Sequence, residues 1–186
     1  NINGKYGKLA YLNLTIKLNP THLNNSTKMS IAETIIHEMI HAYFFYRSID
    51  ANGDMVKEKL LANELGFLKP YNPNSPEPTY GNQHEQMAAN YISELIAVLK
   101  EYKQIVNSDL TDMQNVYPTL DIDTYYKAMV WAGLTEKVDK NEQIIFITKA
   151  WKTFKDNNPD TANMYKFIIS AEENATELSP SKEKCQ

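Results

Sequence analysis

The sequence predicts an α+β fold that is mostly helical, with a small N-terminal β-sheet packed on a helix that carries two histidines one turn apart. Three observations lead to this prediction. Residues 9–18 alternate in polarity, residues 31–47 read as one helix, and apolar residues recur at helical spacing after residue 83. The 186 residues fit a single domain, 1–186, with a core at about 9–105, a helical C-terminal part at about 106–171 and a frayed tail at 172–186.

The predicted N-terminal strand spans Leu9 to Leu18 and ends before Pro20. Its period of two is typical of a half-buried strand. A strand at this place can offer a free edge to an extended peptide, although an internal strand without a free edge is an equal alternative. The residues that share its apolar face are Ala10, Leu12, Leu14, Ile16 and Leu18.

The helix that follows is predicted from about Ile31 to Arg47. Ser30 and Glu33 stand at the spacing of a capping box, which favours a helix start at Ser30. Ile31, Ile35 and Met39 are expected to form much of its buried face.

Further elements follow from periodicity and from glycine and proline. The strongest is a long helix after a proline-rich loop, with an apolar stripe that runs from Met87 to Tyr102. The predicted elements are a short helix at Glu58–Leu68, a loop at Pro70–Pro78, and helices at Gln83–Gln104, at Asp123–Ala132 closed by Gly133, at Asn141–Lys155 and at Met164–Ala171.

Composition narrows the function classes. The net charge is −4 and Arg47 is the only arginine, so we expect no nucleic-acid partner. Cys185 is the only cysteine, which excludes an internal disulfide and a cysteine-rich zinc site. No apolar run is long enough for a membrane span. We expect a soluble chain without a membrane partner, either cytoplasmic or secreted as part of a larger protein, since the sequence begins with Asn1.

The motif with the clearest chemistry is His37-Glu38-Met39-Ile40-His41. Residues four apart on a helix share a face, so both imidazoles can bind one zinc ion. Glu38 follows the first of these histidines and can take a proton from a zinc-bound water. Two core histidines satisfied by hydrogen bonds are the structural alternative.

A zinc ion used in catalysis needs a third protein ligand and an open position. His84, at the start of the long amphipathic helix, is the leading candidate. Glu85 and Glu64 are its rivals, because glutamate also serves as a third ligand. His22 lies in a polar stretch and is expected to be solvated.

The segment from Thr34 to Tyr43, Thr-Ile-Ile-His-Glu-Met-Ile-His-Ala-Tyr, resembles the active-site helix of zincin metallopeptidases, and most closely that of the SprT-like group. The resemblance implies that His37, His41 and His84 are zinc ligands and that Glu38 is the catalytic base. The metzincin pattern is absent, because Phe44 and Arg47 stand where its glycine and third histidine would be. Residues Tyr126 to Leu134 resemble zincin-like modules at the C-termini of larger bacterial and phage proteins.

These observations favour a zinc-dependent peptidase that acts on a protein or peptide substrate. The alternatives are a zinc hydrolase of another amide or ester, a toxin or effector module of a larger bacterial or phage protein, and a zinc-binding domain without turnover. The sequence also leaves room for another divalent metal.

Overall fold

The computed structural model describes residues 15–51, 54, 56–57, 80–102, 107–138 and 141–180. Helices dominate this part of the chain, and one two-stranded antiparallel sheet accompanies them, so the α+β prediction is confirmed. In chain order the elements are α1 (Pro20–Asn25), α2 (Lys28–Ala51), α3 (Tyr80–Asn90), α4 (Ile92–Tyr102), a 3-10 turn (Asn107–Leu110), α5 (Thr111–Gln114), α6 (Ile122–Met129), β1 (Glu136–Val138), β2 (Ile144–Phe146), α7 (Lys149–Asn157) and α8 (Pro159–Glu173).

The predicted N-terminal strand falls largely outside the described residues, which begin at Thr15. Residues 15–19 lie in neither a helix nor a strand. The described sheet is formed elsewhere, by β1 and β2, with Lys137 opposite Ile145. The short helix predicted at Glu58–Leu68 and the proline-rich loop at 70–78 also lie outside the described residues.

Helix α2 begins before the predicted capping box. Thr27 precedes its first residue, and the Thr27 hydroxyl accepts a hydrogen bond from the backbone N–H of Ser30 at 3.2 Å. The same hydroxyl donates to the carboxylate of Glu172 on α8, and the Thr27 backbone N–H donates to the Glu172 carbonyl at 2.9 Å. The prediction that Ser30 starts the helix is therefore wrong, because Thr27 caps it and α8 holds the cap in place.

Helix α2 turns a different face inward from the one predicted. Met29 and Phe44 are fully buried, but Ile35 is 37% exposed and Met39 is 57% exposed. Ile31 is buried as expected. The inward face includes Glu33 and His37, so this helix directs its polar motif residues toward α3, α4 and α8, which pack against it.

Helices α3 and α4 form nearly one continuous helix and confirm the predicted amphipathic segment. Tyr91 stands between them, yet its N–H donates to the Met87 carbonyl at 3.0 Å and its carbonyl accepts from Leu95 N–H at 2.9 Å. Met87, Leu95 and Leu99 are buried, whereas Tyr102 at the end of the stripe is 51% exposed. Because α3 contacts both α2 and α7, it brings its first turns to the motif helix.

The helix predicted over Asn141–Lys155 is correct only in its second half. Ile144 to Phe146 form β2, paired with β1 across a hairpin. β-Branched residues favour this extended backbone. Thr148 then caps α7, because its hydroxyl accepts from Trp151 N–H at 3.0 Å and donates to the Leu134 carbonyl at 2.9 Å.

The C-terminal helices form much of the core. Helix α6 ends at Met129, earlier than predicted, while α8 extends well beyond the predicted Met164–Ala171. Within the segment predicted as a frayed tail, Glu172 and Ser179 are fully buried. The core unites α6, α7 and α8 with the inward sides of α2 and α4; among its fully buried members are Met29, Leu99, Tyr125, Met129, Trp151 and Ile168.

None of the described helices combines the length and apolar character that crossing a membrane would require.

Candidate metal centre

Three of the four histidines converge between α2 and α3. The Nε2 atom of His41 lies 3.1 Å from Nε2 of His37 and 3.1 Å from Nε2 of His84. Each of the three side chains offers one nitrogen, and these nitrogens lie within 4.8 Å of one another. Helix spacing explains the first pair, since His37 and His41 are one turn apart on α2, and the packing of α3 on α2 supplies His84.

The separations of His41 from its two histidine partners fit a tetrahedral metal. Nitrogens bound to one zinc ion at about 2.0–2.1 Å lie roughly 3.3–3.4 Å apart. The 3.1 Å separations at His41 are close to that value. In a neutral imidazole, each ring nitrogen either donates one hydrogen bond or accepts one through its single lone pair. His41 Nε2 therefore cannot form good hydrogen bonds to both of its close nitrogen neighbours. A cation between the three nitrogens would resolve this crowding.

The electrostatics also favour unprotonated histidines. Burial, together with His41 and His84, lowers the pKa of His37 to about 3. Burial, His41 and Lys137 lower the pKa of His84 to about 4. Both imidazoles are therefore neutral near pH 7, which is the form that binds a metal.

Two further residues lie close to the His37 ring. Gly133 has a positive φ of 73°, and a Cβ atom there would lie 2.9 Å from Cε1 of His37. Glu33, one turn earlier on α2, places Oε1 3.9 Å from Nδ1 of His37. That buried oxygen has no hydrogen-bond partner within the described part of the chain. Burial, with Glu173 and Glu38 nearby, raises the pKa of Glu33 well above its ordinary value.

His41 is held through its other ring nitrogen. Its Nδ1 lies 2.6 Å from the side-chain oxygen of Gln83, a residue that is 3% exposed. Gln83 immediately precedes His84 on α3, so two adjacent residues of one helix contact the same imidazole.

The remaining predicted residues occupy different places. Glu38 follows His37 on α2 and is half-buried. Glu85 points to α7, where its Oε1 accepts a 2.5 Å hydrogen bond from Lys149 N–H. Of the two carboxylate rivals, Glu85 is thus engaged elsewhere, and Glu64 lies outside the described residues.

His22, which was expected to be solvated, is half-buried on α1. Its Nδ1 lies 2.9 Å from the Ser26 hydroxyl and its Nε2 lies 3.0 Å from the Thr34 hydroxyl. Burial lowers its pKa. His22 ties α1 to α2 and does not join the three converging histidines.

Sequence reasoning missed Gln83 and the contact of Gly133 with His37, and it assigned Glu33 to a helix cap. Gln83 has no signal except its position beside His84. Glu33 stands four residues before His37, a spacing that places a carboxylate on the same helix face as a candidate ligand.

Comparison with known families gives one finding. Residues 2–54 match the model of the SprT-like family, a zincin-like, metallopeptidase-type family. This segment is less than half of the chain; it contains His37, Glu38 and His41 and ends before His84. The chain matched no curated protein and no solved structure.

Proposed function

We propose that this chain is a zinc-dependent metallopeptidase-like hydrolase that cleaves peptide bonds. The grouping of one nitrogen each from His37, His41 and His84 within 4.8 Å of one another carries the proposal. The similarity of residues 2–54 to the SprT-like family supports it, because that family is of the metallopeptidase type.

In this proposal the three imidazoles hold the metal through Nε2 and leave one position open for water and substrate. A zinc ion held there would polarise the substrate carbonyl and lower the pKa of bound water toward 7. An imidazole binds a metal in its neutral form, so three such ligands would leave the positive charge of the ion undiminished. We choose zinc because nitrogen-only, closely spaced ligands suit it better than they suit magnesium or calcium.

Glu38 is the proposed general base. It directly follows His37 and is half-buried, and no hydrogen bond or ion pair engages its carboxylate within the described residues. It would accept the proton of the attacking water and return it to the leaving amine. A purely structural metal site has no use for such a base, which is why we favour a hydrolase over a zinc-binding domain without turnover.

The proposal is tested with the zinc-loaded chain and an unfolded protein substrate such as casein. We expect cleavage that a chelator abolishes and that Glu38→Gln reduces by roughly 10²–10⁴-fold while zinc is retained. The matched control is Glu85→Gln, because Glu85 also directly follows a proposed ligand but contacts Lys149 instead. Cleavage that persists in Glu38→Gln would refute the role of Glu38.

A chain that binds zinc and cleaves neither casein nor a peptide library would instead be a zinc-binding domain without turnover. Hydrolysis of small ester or amide substrates alone would favour a zinc hydrolase of another class. The substrate result therefore separates the peptidase from both alternatives.

A further inference from the structure

His41 contacts the side chain of Gln83, which is not one of the proposed metal ligands. Oε1 of Gln83 lies 2.6 Å from Nδ1 of His41, and the Gln83 side chain is almost completely buried. On its other edge, His41 presents Nε2 to His37 and His84 at 3.1 Å each. His41 is thus the central imidazole of the three, with Gln83 behind it.

The chemistry of an amide oxygen decides where the proton of His41 lies. This oxygen only accepts hydrogen bonds, so the short contact requires Nδ1 to donate. A neutral imidazole carries one N–H, and Nε2 is then left with its lone pair. That lone pair faces the point on which the other two histidines converge.

We propose that Gln83 is a positioning residue that holds His41 in the Nδ1–H tautomer and aims its Nε2 at the metal position. This inference rests on the proposed metal site. Histidine ligands in proteins commonly donate their second N–H to an acceptor that sets the tautomer and the ring orientation. Here the acceptor is an uncharged amide, which keeps the ring in place without adding negative charge near the ion.

Gln83 lies next to the proposed third ligand on α3. Gln83 and His84 are adjacent, so the docking of α3 on α2 brings the third ligand and orients the second in one step. Displacement of this turn of α3 would remove one ligand and release another. Through Gln83, the packing of α3 on α2 therefore affects how well the histidines of α2 can bind the metal.

The first test is made on the metal-free chain labelled with ¹⁵N at histidine. Two-bond ¹H–¹⁵N correlation spectra distinguish the two neutral tautomers of each imidazole. We expect His41, assigned through His41→Gln, to be the Nδ1–H tautomer in the parent and in Gln83→Glu, which keeps an acceptor. Gln83→Met should yield a mixture of tautomers. A parent His41 protonated on Nε2 would overturn the proposal without any variant.

The second test is zinc affinity, measured by competition with a chromophoric chelator. We expect Gln83→Met to weaken binding by about 10–100-fold, as loss of such partners typically does, and Gln83→Glu to restore most of it. The matched control is Gln86→Met, because Gln86 is also buried on α3 but accepts from Asn90 and touches no histidine in the described contacts. Gln86→Met should leave zinc affinity within about twofold.

If Gln83→Met does not fold, as judged by near-ultraviolet circular dichroism, Gln83→Asn replaces it, since the shorter side chain withdraws the acceptor yet stays polar. Parental zinc affinity in whichever of these variants folds overturns the inference and leaves the proposed function intact. A parent that binds no zinc at all overturns the proposed function, and the role of Gln83 at a metal site falls with it.

Discussion

Gly133 lies directly against the imidazole of His37: a Cβ atom at Gly133 would be 2.9 Å from Cε1 of that ring, in a backbone conformation with φ of 73°. Two requirements therefore coincide at this glycine. The turn after α6 needs a left-handed residue, and the ring of a proposed ligand needs the space that a side chain would fill.

Gly133→Ala is expected to destabilise the metal-free chain by about 1–2 kcal/mol from the left-handed backbone alone, and further through the clash with His37. It should also weaken zinc binding, because the ring must move. Urea unfolding in a chelator and zinc titration measure the two effects.

A double-mutant cycle separates strain from clash. In the His37→Ala background the clash is gone, so Gly133→Ala should cost less there by about 0.5–3 kcal/mol. An equal cost in both backgrounds would mean that His37 and Gly133 are not coupled.

Zinc content is expected to follow the three converging histidines. The parent should hold one equivalent of zinc, and His37→Ala or His41→Ala should lose most of it, because each substitution removes one of three ligands. Elemental analysis after dialysis checks this. His22→Ala is the matched control and should keep the metal, since His22 contacts Ser26 and Thr34 instead. Full zinc content in both ligand variants would place the site elsewhere.

The third ligand is tested by single alanine substitutions at His84, Glu85 and Glu64. We expect a large loss of zinc affinity in His84→Ala only. Glu85→Ala should instead loosen the start of α7, where its carboxylate accepts from Lys149 N–H, and should lower the midpoint of thermal unfolding slightly. A large loss in Glu64→Ala with no change in His84→Ala would indicate a zincin with a glutamate ligand.

The pH dependence of stability should report the burial of His37. In the metal-free folded chain its pKa is about 3, whereas in the unfolded chain it is about 6.5. Between these values the unfolded state binds more protons, so the contribution of His37 makes the free energy of unfolding fall as pH decreases, by at most about 1.4 kcal/mol per pH unit.

Glu33 changes the free energy of unfolding in the opposite direction. Burial raises its pKa, so this carboxyl stays protonated to higher pH in the folded chain than in the unfolded chain. The comparison that isolates His37 is the parent against His37→Gln, both in chelator, by urea unfolding between pH 4.5 and pH 6.5. The parent should lose stability more steeply with falling pH. Parallel curves for the two chains would contradict the assigned pKa of His37.

Several features of the candidate centre were predictable from sequence because they depend on local geometry or on elimination. Helix periodicity alone places His37 and His41 on one face. His84 was favoured because it is the only histidine after the motif and begins an amphipathic helix, and the structure brings its ring to within 3.1 Å of His41 Nε2. The mostly helical α+β class is confirmed, although the described sheet is formed by β1 and β2 and not at the predicted N-terminal position.

Other features were decided by tertiary packing. The rotation of α2, which leaves Met39 exposed and buries Glu33, depends on where α4 and α8 lie, and periodicity predicted another face. Ile144 to Phe146 form a strand because β1 is there to pair with them, whereas a short apolar run alone fits a helix equally well.

Tertiary packing also decided which residues surround the histidines. Gln83 contacts a residue 42 positions away in sequence, and Gly133 contacts one still more distant. Contacts at such separations leave no periodic trace in a single sequence, because they arise only when separate elements pack together. Sequence alone therefore determined that His37 and His41 share one face of a helix, and the packing of α2, α3 and the turn at Gly133 decided which residues surround these histidines.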